Sequence, residues 1–312
     1  AACCWQTGLR CRALPRWGGA FLQGKEAAFL YRQDYQFGGV GFALTAEAPI
    51  RPAPLLEQFR APETSAAHQI QCRFAARLPA PPAHPPLDTP EEKMWSKDGA
   101  IYGFHAYQIS HDDPLRPACW WRRRGKHTEM LWAEEFREML YARNILTSAD
   151  LFGSLLEEGG IILHAAYIVH QGRAVLFSGP SGMGKTTQAG LWERYRGADI
   201  INGDRALIRR GPDGTFWAHG ICYSGTSGIC RNVSAPLAAV VLLSQGPESR
   251  TEPLGGLNAF RALLPRVSYH TWAAEEAKNV TDILSALLSE KPAFHLACRP
   301  DESAVESLEK YL

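Results

Sequence analysis

Apolar runs of strand length alternate with segments of helical spacing from residue 148 to the end of the chain. Strands are predicted at 161–169, 173–179, 199–208, 237–243 and 293–298. Helices are predicted at 186–196, 257–265, 275–291 and 302–312. Alternation of this kind is typical of an α/β domain, which we assign to residues 148–312.

The first 147 residues give weaker patterns. Residues 1–78 contain short runs of aromatic residues and glycine, which predict a small, β-rich N-terminal region. Half of residues 79–90 are proline, so this stretch is predicted to be a semi-rigid linker at a domain boundary. Residues 91–147 then form a connecting α+β segment.

An amphipathic helix is predicted at 129–146, where Trp132 and Phe136 recur at helical spacing. Both aromatic side chains are expected in the core. Thr147 or Ser148 can cap a second helix, which ends at a glycine pair.

The composition is that of an ordinary globular protein, with 46% hydrophobic residues, 21% charged residues and a net charge of +1. This charge gives no reason to expect a nucleic-acid partner, and the basic run at 120–127 is better explained as a turn between strands than as a nucleic-acid patch. No apolar run approaches the roughly 18 residues of a membrane helix. No cysteine pair has CxxC spacing, which favours reduced thiols and a cytoplasmic location without a zinc site.

A phosphate-binding motif follows the strand predicted at 173–179. Gly179, Gly184, Lys185 and Thr186 fit the pattern GxxxxGK[ST]. In such a P-loop, backbone N–H groups close on phosphate oxygens, the lysine reaches the β- and γ-phosphates, and the hydroxyl ligates magnesium. We therefore predict that ATP and Mg²⁺ bind here, with Lys185 acting in catalysis. The predicted nucleotide-binding residues are Gly179, Pro180, Ser181, Gly182, Met183, Gly184, Lys185, Thr186 and Thr187.

A second candidate is Asp204, which follows the apolar segment 199–202. A carboxylate at the carboxyl end of a strand lies where ligands bind in open α/β sheets, and it can hold the magnesium that bridges the phosphates. A turn aspartate beside Gly203 is the structural alternative. Arg205 adds a cation near the phosphates, or else it is a surface arginine.

The run from residue 164 to residue 208 resembles the P-loop kinases related to HPr kinase/phosphorylase, which share a nucleotide-binding core with phosphoenolpyruvate carboxykinase. The resemblance is carried by "LHAAYIVHQGRAVLFSGPSGMGKTT", by "GLW" in the next helix and by the acidic strand that follows. The segment "GICYSGTSGICRN" (220–232) is similar to a weakened "GTPWSG…N" segment of that family. The similarity covers roughly residues 148–250 and implies a mixed sheet with flanking helices around the P-loop, beside a small N-terminal α+β region.

The resemblance implies roles for four residues, position by position. Lys185 and Thr186 match the phosphate and magnesium residues, and Asp204 matches the metal-binding acid. His164 matches the family histidine beside a catalytic acidic pair, whereas the sequence alone favours a buried core histidine. Gly203 stands where the first acid of that pair would act as general base, and loss of a base typically slows a reaction about 10²- to 10⁴-fold.

The leading hypothesis is an ATP-dependent kinase that transfers the γ-phosphate to a hydroxyl, with a serine of a peptide, protein or small molecule as the expected acceptor. Arg231 is a candidate clamp for the acceptor or the phosphate. The alternative is a nucleotide-binding regulatory or scaffold protein whose catalysis was weakened at Gly203. A carboxykinase-type enzyme is a third hypothesis, for which no oxaloacetate site is visible in the sequence. Relatives of this kind often assemble, so a homo-oligomer remains open.

Overall fold

The structure is a computed structural model, and it describes residues 29–62, 68–110 and 112–312. The part of the predicted N-terminal region before residue 29 lies outside the described residues. Among the helices described, none is both long enough and apolar enough to cross a bilayer.

Within the described residues, eight strands of the N-terminal half form one mixed sheet. They are β1 (Tyr31–Phe37), β2 (Val40–Ala46), β3 (His68–Ala75), β4 (Leu87–Asp88), β5 (Glu92–Lys97), β6 (Ala100–Tyr107), β7 (Arg116–Arg124) and β8 (His127–Ala133). Their spatial order is β1-β2-β3-β8-β7-β6-β5-β4. β3 lies parallel to both β2 and β8 and joins two antiparallel parts of the sheet.

The proline-rich residues 79–90, predicted as a linker, follow β3 and lead into β4 of this sheet. β3 precedes the stretch and β4 begins inside it, yet both strands belong to the same hydrogen-bonded sheet. The strands on the two sides of the proline-rich stretch join in one sheet because β3 pairs with β8, which lies beyond that stretch in the chain. The regions predicted as 1–78 and 91–147 therefore contribute strands to one structure.

The segment predicted as a helix at 129–146 begins as a strand instead. β7 and β8 form a hairpin around Gly125, so the basic run does contain the expected turn. Pairing with β7 draws the first residues of the segment into the sheet, where buried and more exposed positions alternate. A 3₁₀ turn at Glu134–Met139 follows, and α1 (Ala142–Ser148) begins only after it. The tryptophan and phenylalanine that suggested the helix are both buried.

A second mixed sheet is built from nine strands of the C-terminal half, counted over the described residues. They are β9 (Ile161–His170), β10 (Arg173–Ser178), β11 (Asp199–Asn202), β12 (Arg205–Arg210), β13 (Phe216–His219), β14 (Ser234–Gln245), β15 (Arg250–Pro253), β16 (Val267–Ser268) and β17 (Ala293–Cys298). The main order is β10-β9-β12-β13-β14-β17-β15, with β11 and β16 also paired to β9. The single strand predicted at 199–208 is thus two strands, β11 and β12, separated by Gly203 and Asp204.

The pairing around β9 decides where the candidate site lies. β10 and β11 both run antiparallel to β9, so these two strands share one direction. The last residue of β10, Ser178, lies opposite Ala165, and the last residue of β11, Asn202, lies opposite Tyr167. The carboxyl ends of the two strands therefore meet at the same edge of the sheet.

Helices flank the second sheet where the periodicity predicts them. They are α2 (Leu151–Glu157), α3 (Lys185–Arg196), α4 (Gly256–Leu263), α5 (Ala274–Glu290) and α6 (Glu302–Glu309). The cap of α2 differs from the expected Thr147 or Ser148, because α1 includes both residues. Asp150 caps α2 from a left-handed conformation with φ of 56°, and its carboxylate accepts from the Gly153 amide.

The two sheets share one apolar core. Ile162 of β9 and Leu207 of β12 belong to the same buried cluster as the aromatic residues of β1 and β2. Polar contacts cross the junction as well, since the Gln58 amide donates to the Cys230 carbonyl at 2.7 Å and Arg209 donates to the Gly38 carbonyl at 2.5 Å. The first sheet therefore supports the strands that carry the candidate site.

Candidate functional site

The glycine-rich segment, residues 179–187, links the end of β10 to the first turn of α3. Gly182 and Gly184 have φ of 75° and 93°, a region that residues with a Cβ rarely adopt. Thr186 and Thr187 are exposed at the start of the helix, where backbone N–H groups have no helical partner. The segment thus presents the first-turn N–H groups and the positive end of a helix dipole, the combination that binds anions.

Lys185 lies at the centre of this segment and is only 8% exposed. Its Nζ donates to the carbonyls of Gly179 and Pro180 at 3.2 Å each. Burial lowers the pKa of Lys185, with Asp204 opposing this effect and Arg266 adding to it. The ammonium group is therefore held by neutral carbonyls inside a loop that has the features of an anion site.

The sheet register brings His164 beside Asp204. His164 of β9 pairs with Arg205 of β12, and the Ala165 amide donates to the Asp204 carbonyl at 2.9 Å. His164 Nε2 then lies 3.2 Å from Asp204 Oδ1, while Arg205 Nε lies 3.2 Å from Oδ2. A carboxylate, an imidazole and a guanidinium thus form one cluster at the edge of the sheet.

The environment of His164 favours its neutral form. Burial lowers the pKa of His164, and the positive charges of Lys185 and Arg205 lower it further, against the opposing effect of Asp204. A neutral imidazole with its proton on Nε2 donates to the Asp204 carboxylate and orients it.

Gly203 is closely covered by a neighbouring 3₁₀ turn at Gly225–Ser227. An ideal Cβ on Gly203 would lie 2.2 Å from Ser227 Oγ and 2.6 Å from Ser227 Cβ. The volume that a side chain at this position needs is therefore occupied by Ser227. Sequence inspection identified the missing acid but not the residue that fills its place, because the two positions are distant in the chain.

Thr186 approaches the same edge from the helix. Its hydroxyl lies 3.5 Å from the carbonyl oxygen of Gly203, the residue before Asp204. A hydroxyl and a partly exposed carboxylate are hard oxygen donors, which Mg²⁺ prefers. The donor chemistry of Thr186 and Asp204 therefore fits a magnesium ion.

The charge around Lys185 is predominantly positive. Lys185, Arg205 and Arg266 act on this region against the carboxylate of Asp204. Arg266 was missed in the sequence because it lies far along the chain, in the turn before β16. Arg231, expected as a clamp, lies 3.3 Å from Asp199 at the start of β11, the end of that strand away from Asp204.

A cavity of about 330 Å³ lies next to the cluster of His164, Asp204 and Arg205, because Arg205 contacts two of the residues that line it. Arg205 donates to the hydroxyl of Ser268 at 2.7 Å and lies over the ring of Phe152, and both residues line the cavity. Tyr223 and His270 form further parts of its wall. A second molecule could therefore lie next to the carboxylate cluster.

One group of described side chains has the spacing of metal ligands, with Asp150, His270 and Glu276 bringing ligand atoms within 4.8 Å of one another. These atoms already have partners. His270 Nδ1 lies 3.0 Å from Glu276, and Asp150 accepts from the Gly153 amide and from Arg123. The group is best described as a buried ionic network that ties α2 to α5.

Comparisons with known proteins give two similarities. A family model described as SynChlorMet cassette protein ScmC matches residues 137–288, slightly less than half of the chain. Among solved structures, the chain is similar to the Hpr(Ser) kinase/phosphatase from Coxiella burnetii, with 14% identity, a TM-score of 0.26, and coverage of 48% of this chain and 90% of that one. No curated protein matches the chain.

Proposed function

We propose that this protein is an ATP-dependent phosphotransferase, which binds ATP with Mg²⁺ at the glycine-rich segment and transfers the γ-phosphoryl group to a hydroxyl. The observation that carries the proposal is the meeting of Lys185 and Asp204 at one edge of the second sheet, beside the first-turn N–H groups of the segment. A surplus of positive charge there suits a polyphosphate, and a carboxylate beside it suits a magnesium ion.

Each side chain has a role in this proposal. Lys185 would exchange its two carbonyl partners for phosphate oxygens, and Thr186 and Asp204 would hold a magnesium ion, which would supply charge neutralisation at the phosphates. His164 orients Asp204 through Nε2–H, so the ring nitrogen left to take the proton of the acceptor hydroxyl is Nδ1. Phosphoryl transfer depends mainly on positioning and electrostatics, so activity does not require an acid at position 203.

The cavity beside Arg205 is the proposed acceptor site. It lies against the cluster that holds Asp204, and hydroxyl and ionic side chains line it, which suits a polar acceptor. A serine of a peptide, a protein or a small molecule remains our proposal for the acceptor, in the cytoplasm and without a nucleic-acid partner.

Thermal unfolding with ATP and Mg²⁺ tests the nucleotide site. A ligand at a hundred times its dissociation constant stabilises the folded state by about 2.7 kcal/mol. We expect a rise in Tm for the wild type that is lost in Lys185→Ala. The matched control is Lys278→Ala, because Lys278 is an exposed lysine whose partner is Asp282 on α5. An equal rise in Lys185→Ala, or no rise in the wild type, would refute the proposal.

A nucleotide-binding regulatory protein is the second candidate, favoured by the occupied space beside Gly203. It predicts the same Tm rise without phosphoryl transfer. The measurement is transfer of radiolabelled γ-phosphate from ATP to a pool of serine-containing peptides. Labelled product that is absent from the Asp204→Asn variant supports the phosphotransferase, whereas nucleotide binding without labelled product supports the regulatory protein.

A further inference from the structure

A second cleft, of about 450 Å³, adjoins the glycine-rich segment. One wall is residues 182–184 with Thr187 and Gln188, and the other is the ends of β14 and β17 with the turns that follow them. A volume of several hundred cubic ångströms is typical of a small-molecule site. A molecule in this cleft would contact the same loop that offers its N–H groups to phosphate.

Gln188 is the distinctive residue of the cleft. It lies one turn into α3 and is 2% exposed. Its backbone amide completes the helix by donating to Gly184, but its side-chain Nε2 has no hydrogen-bond partner among the described residues. An unpaired buried amide is costly, and a ligand in the cleft that bonded to it would remove that cost.

The other residues that line the cleft provide apolar surface and the cation of Arg299. Met183 and Pro300 provide apolar surface, and burial raises the pKa of the Cys298 thiol, which is therefore neutral. The Arg299 side chain is 59% exposed and pairs only loosely with Asp301 at 3.3 Å. A guanidinium of this kind can lie over the face of an aromatic ring.

We propose that this cleft binds the nucleobase of the nucleotide, with Gln188 reading its edge and Arg299 covering its face, and that it takes adenine. The proposal rests on the proposed function, since the phosphates must occupy the adjacent loop. A glutamine amide has one donor and one acceptor, which match the N6–H and N7 of adenine. Guanine presents two acceptors, N7 and O6, on the same edge. None of the described lining residues is a carboxylate that could instead hold guanine by its N1–H and N2–H groups.

Isothermal titration with the magnesium complexes of ADP, GDP and tripolyphosphate tests the assignment. We expect the wild type to bind ADP at least about tenfold more tightly than GDP. Gln188→Leu should weaken ADP binding about tenfold and leave tripolyphosphate binding unchanged. Without ligand, the same variant should melt at or above the wild-type temperature, because it removes an unpaired buried amide.

Arg299→Ala is the second variant, and it keeps the test valid if Gln188→Leu is poorly folded. Arg299→Ala should also weaken the binding of ADP while leaving the binding of tripolyphosphate unchanged. The control Arg250→Ala, which changes an exposed arginine paired with Glu252, should weaken neither. Wild-type affinity for ADP in a folded Gln188→Leu variant, or in Arg299→Ala, would overturn the inference and leave the proposed function standing. Equal binding of ADP and GDP to the wild type would overturn the assignment to adenine. Failure of every probe to bind the wild type would overturn both proposals.

Discussion

Replacement of Gly203 by alanine should destabilise the protein through one contact. The added Cβ would lie 2.2 Å from Ser227 Oγ and 2.6 Å from Ser227 Cβ, well inside van der Waals contact. The serine cannot easily rotate away, since its Cβ is fixed by the backbone and its hydroxyl donates to the Ser224 carbonyl at 2.6 Å. Asn202 further anchors this region, because its amide donates to the carbonyls of Ile221 and Tyr223.

The backbone must therefore shift, and overpacking of this kind costs about 1–3 kcal/mol. Urea unfolding of Gly203→Ala measures this loss directly. Gly190→Ala is the matched control, because nothing lies within 4 Å of a Cβ at this position inside α3. The control should be about 0.5–1 kcal/mol more stable than the wild type, since alanine favours a helix interior over glycine.

A double-mutant cycle with Ser227→Gly isolates the contact. Ser227→Gly removes both clashing atoms, so Gly203→Ala should cost little in its presence, and the coupling energy should be at least about 1 kcal/mol. Unchanged stability of Gly203→Ala, or a cost that persists in the double variant, would refute the reasoning. The same geometry predicts that Gly203→Asp alone will not restore a general base, because the Cβ of any side chain at this position would clash with Ser227.

Other variants test the buried charges by urea unfolding. Burial lowers the pKa of His105 to about 4, so the contribution of the neutral imidazole to stability is present above pH 6.5 and is lost as the pH falls towards 4. His105→Gln should therefore reduce the slope of the unfolding free energy against pH in this range by about 1.4 kcal/mol per pH unit. An unchanged slope would contradict this. For His270, burial lowers the pKa, but the hydrogen bond to Glu276 and other negative charges outweigh burial and raise the pKa to about 9. The contribution of the charged His270 to the free energy of unfolding is therefore present below pH 6.5 and is lost as the pH rises through 9. His270→Gln should abolish this loss of stability at alkaline pH. Arg123→Met should lower the free energy of unfolding by about 3–5 kcal/mol, because the buried Asp150 carboxylate loses the guanidinium that lies 2.8 Å away. Asp150→Asn in the same chain should recover part of this loss. A loss below about 1 kcal/mol would argue against a buried ion pair.

The sequence predicts the parts of this protein that local chemistry determines. The strand, the glycine-rich segment and the helix at 173–196 follow from apolar spacing and from glycines that adopt positive φ. The mixed N-terminal sheet could not be predicted, because β3 pairs in parallel with β8 across the proline-rich stretch. Ser227 and Arg266 reach the site through tertiary contacts, and neither residue carries a local signal.

The most direct test of the central claim is the magnesium dependence of ATP affinity in wild type and Asp204→Asn, measured by isothermal titration. If Asp204 and the glycine-rich segment form two parts of one site, magnesium should strengthen ATP binding to the wild type. Asp204→Asn should lose most of that gain and retain the weaker magnesium-free binding through Lys185. Equal magnesium dependence in both proteins would contradict the account, because Asp204 would then have no part in holding the metal.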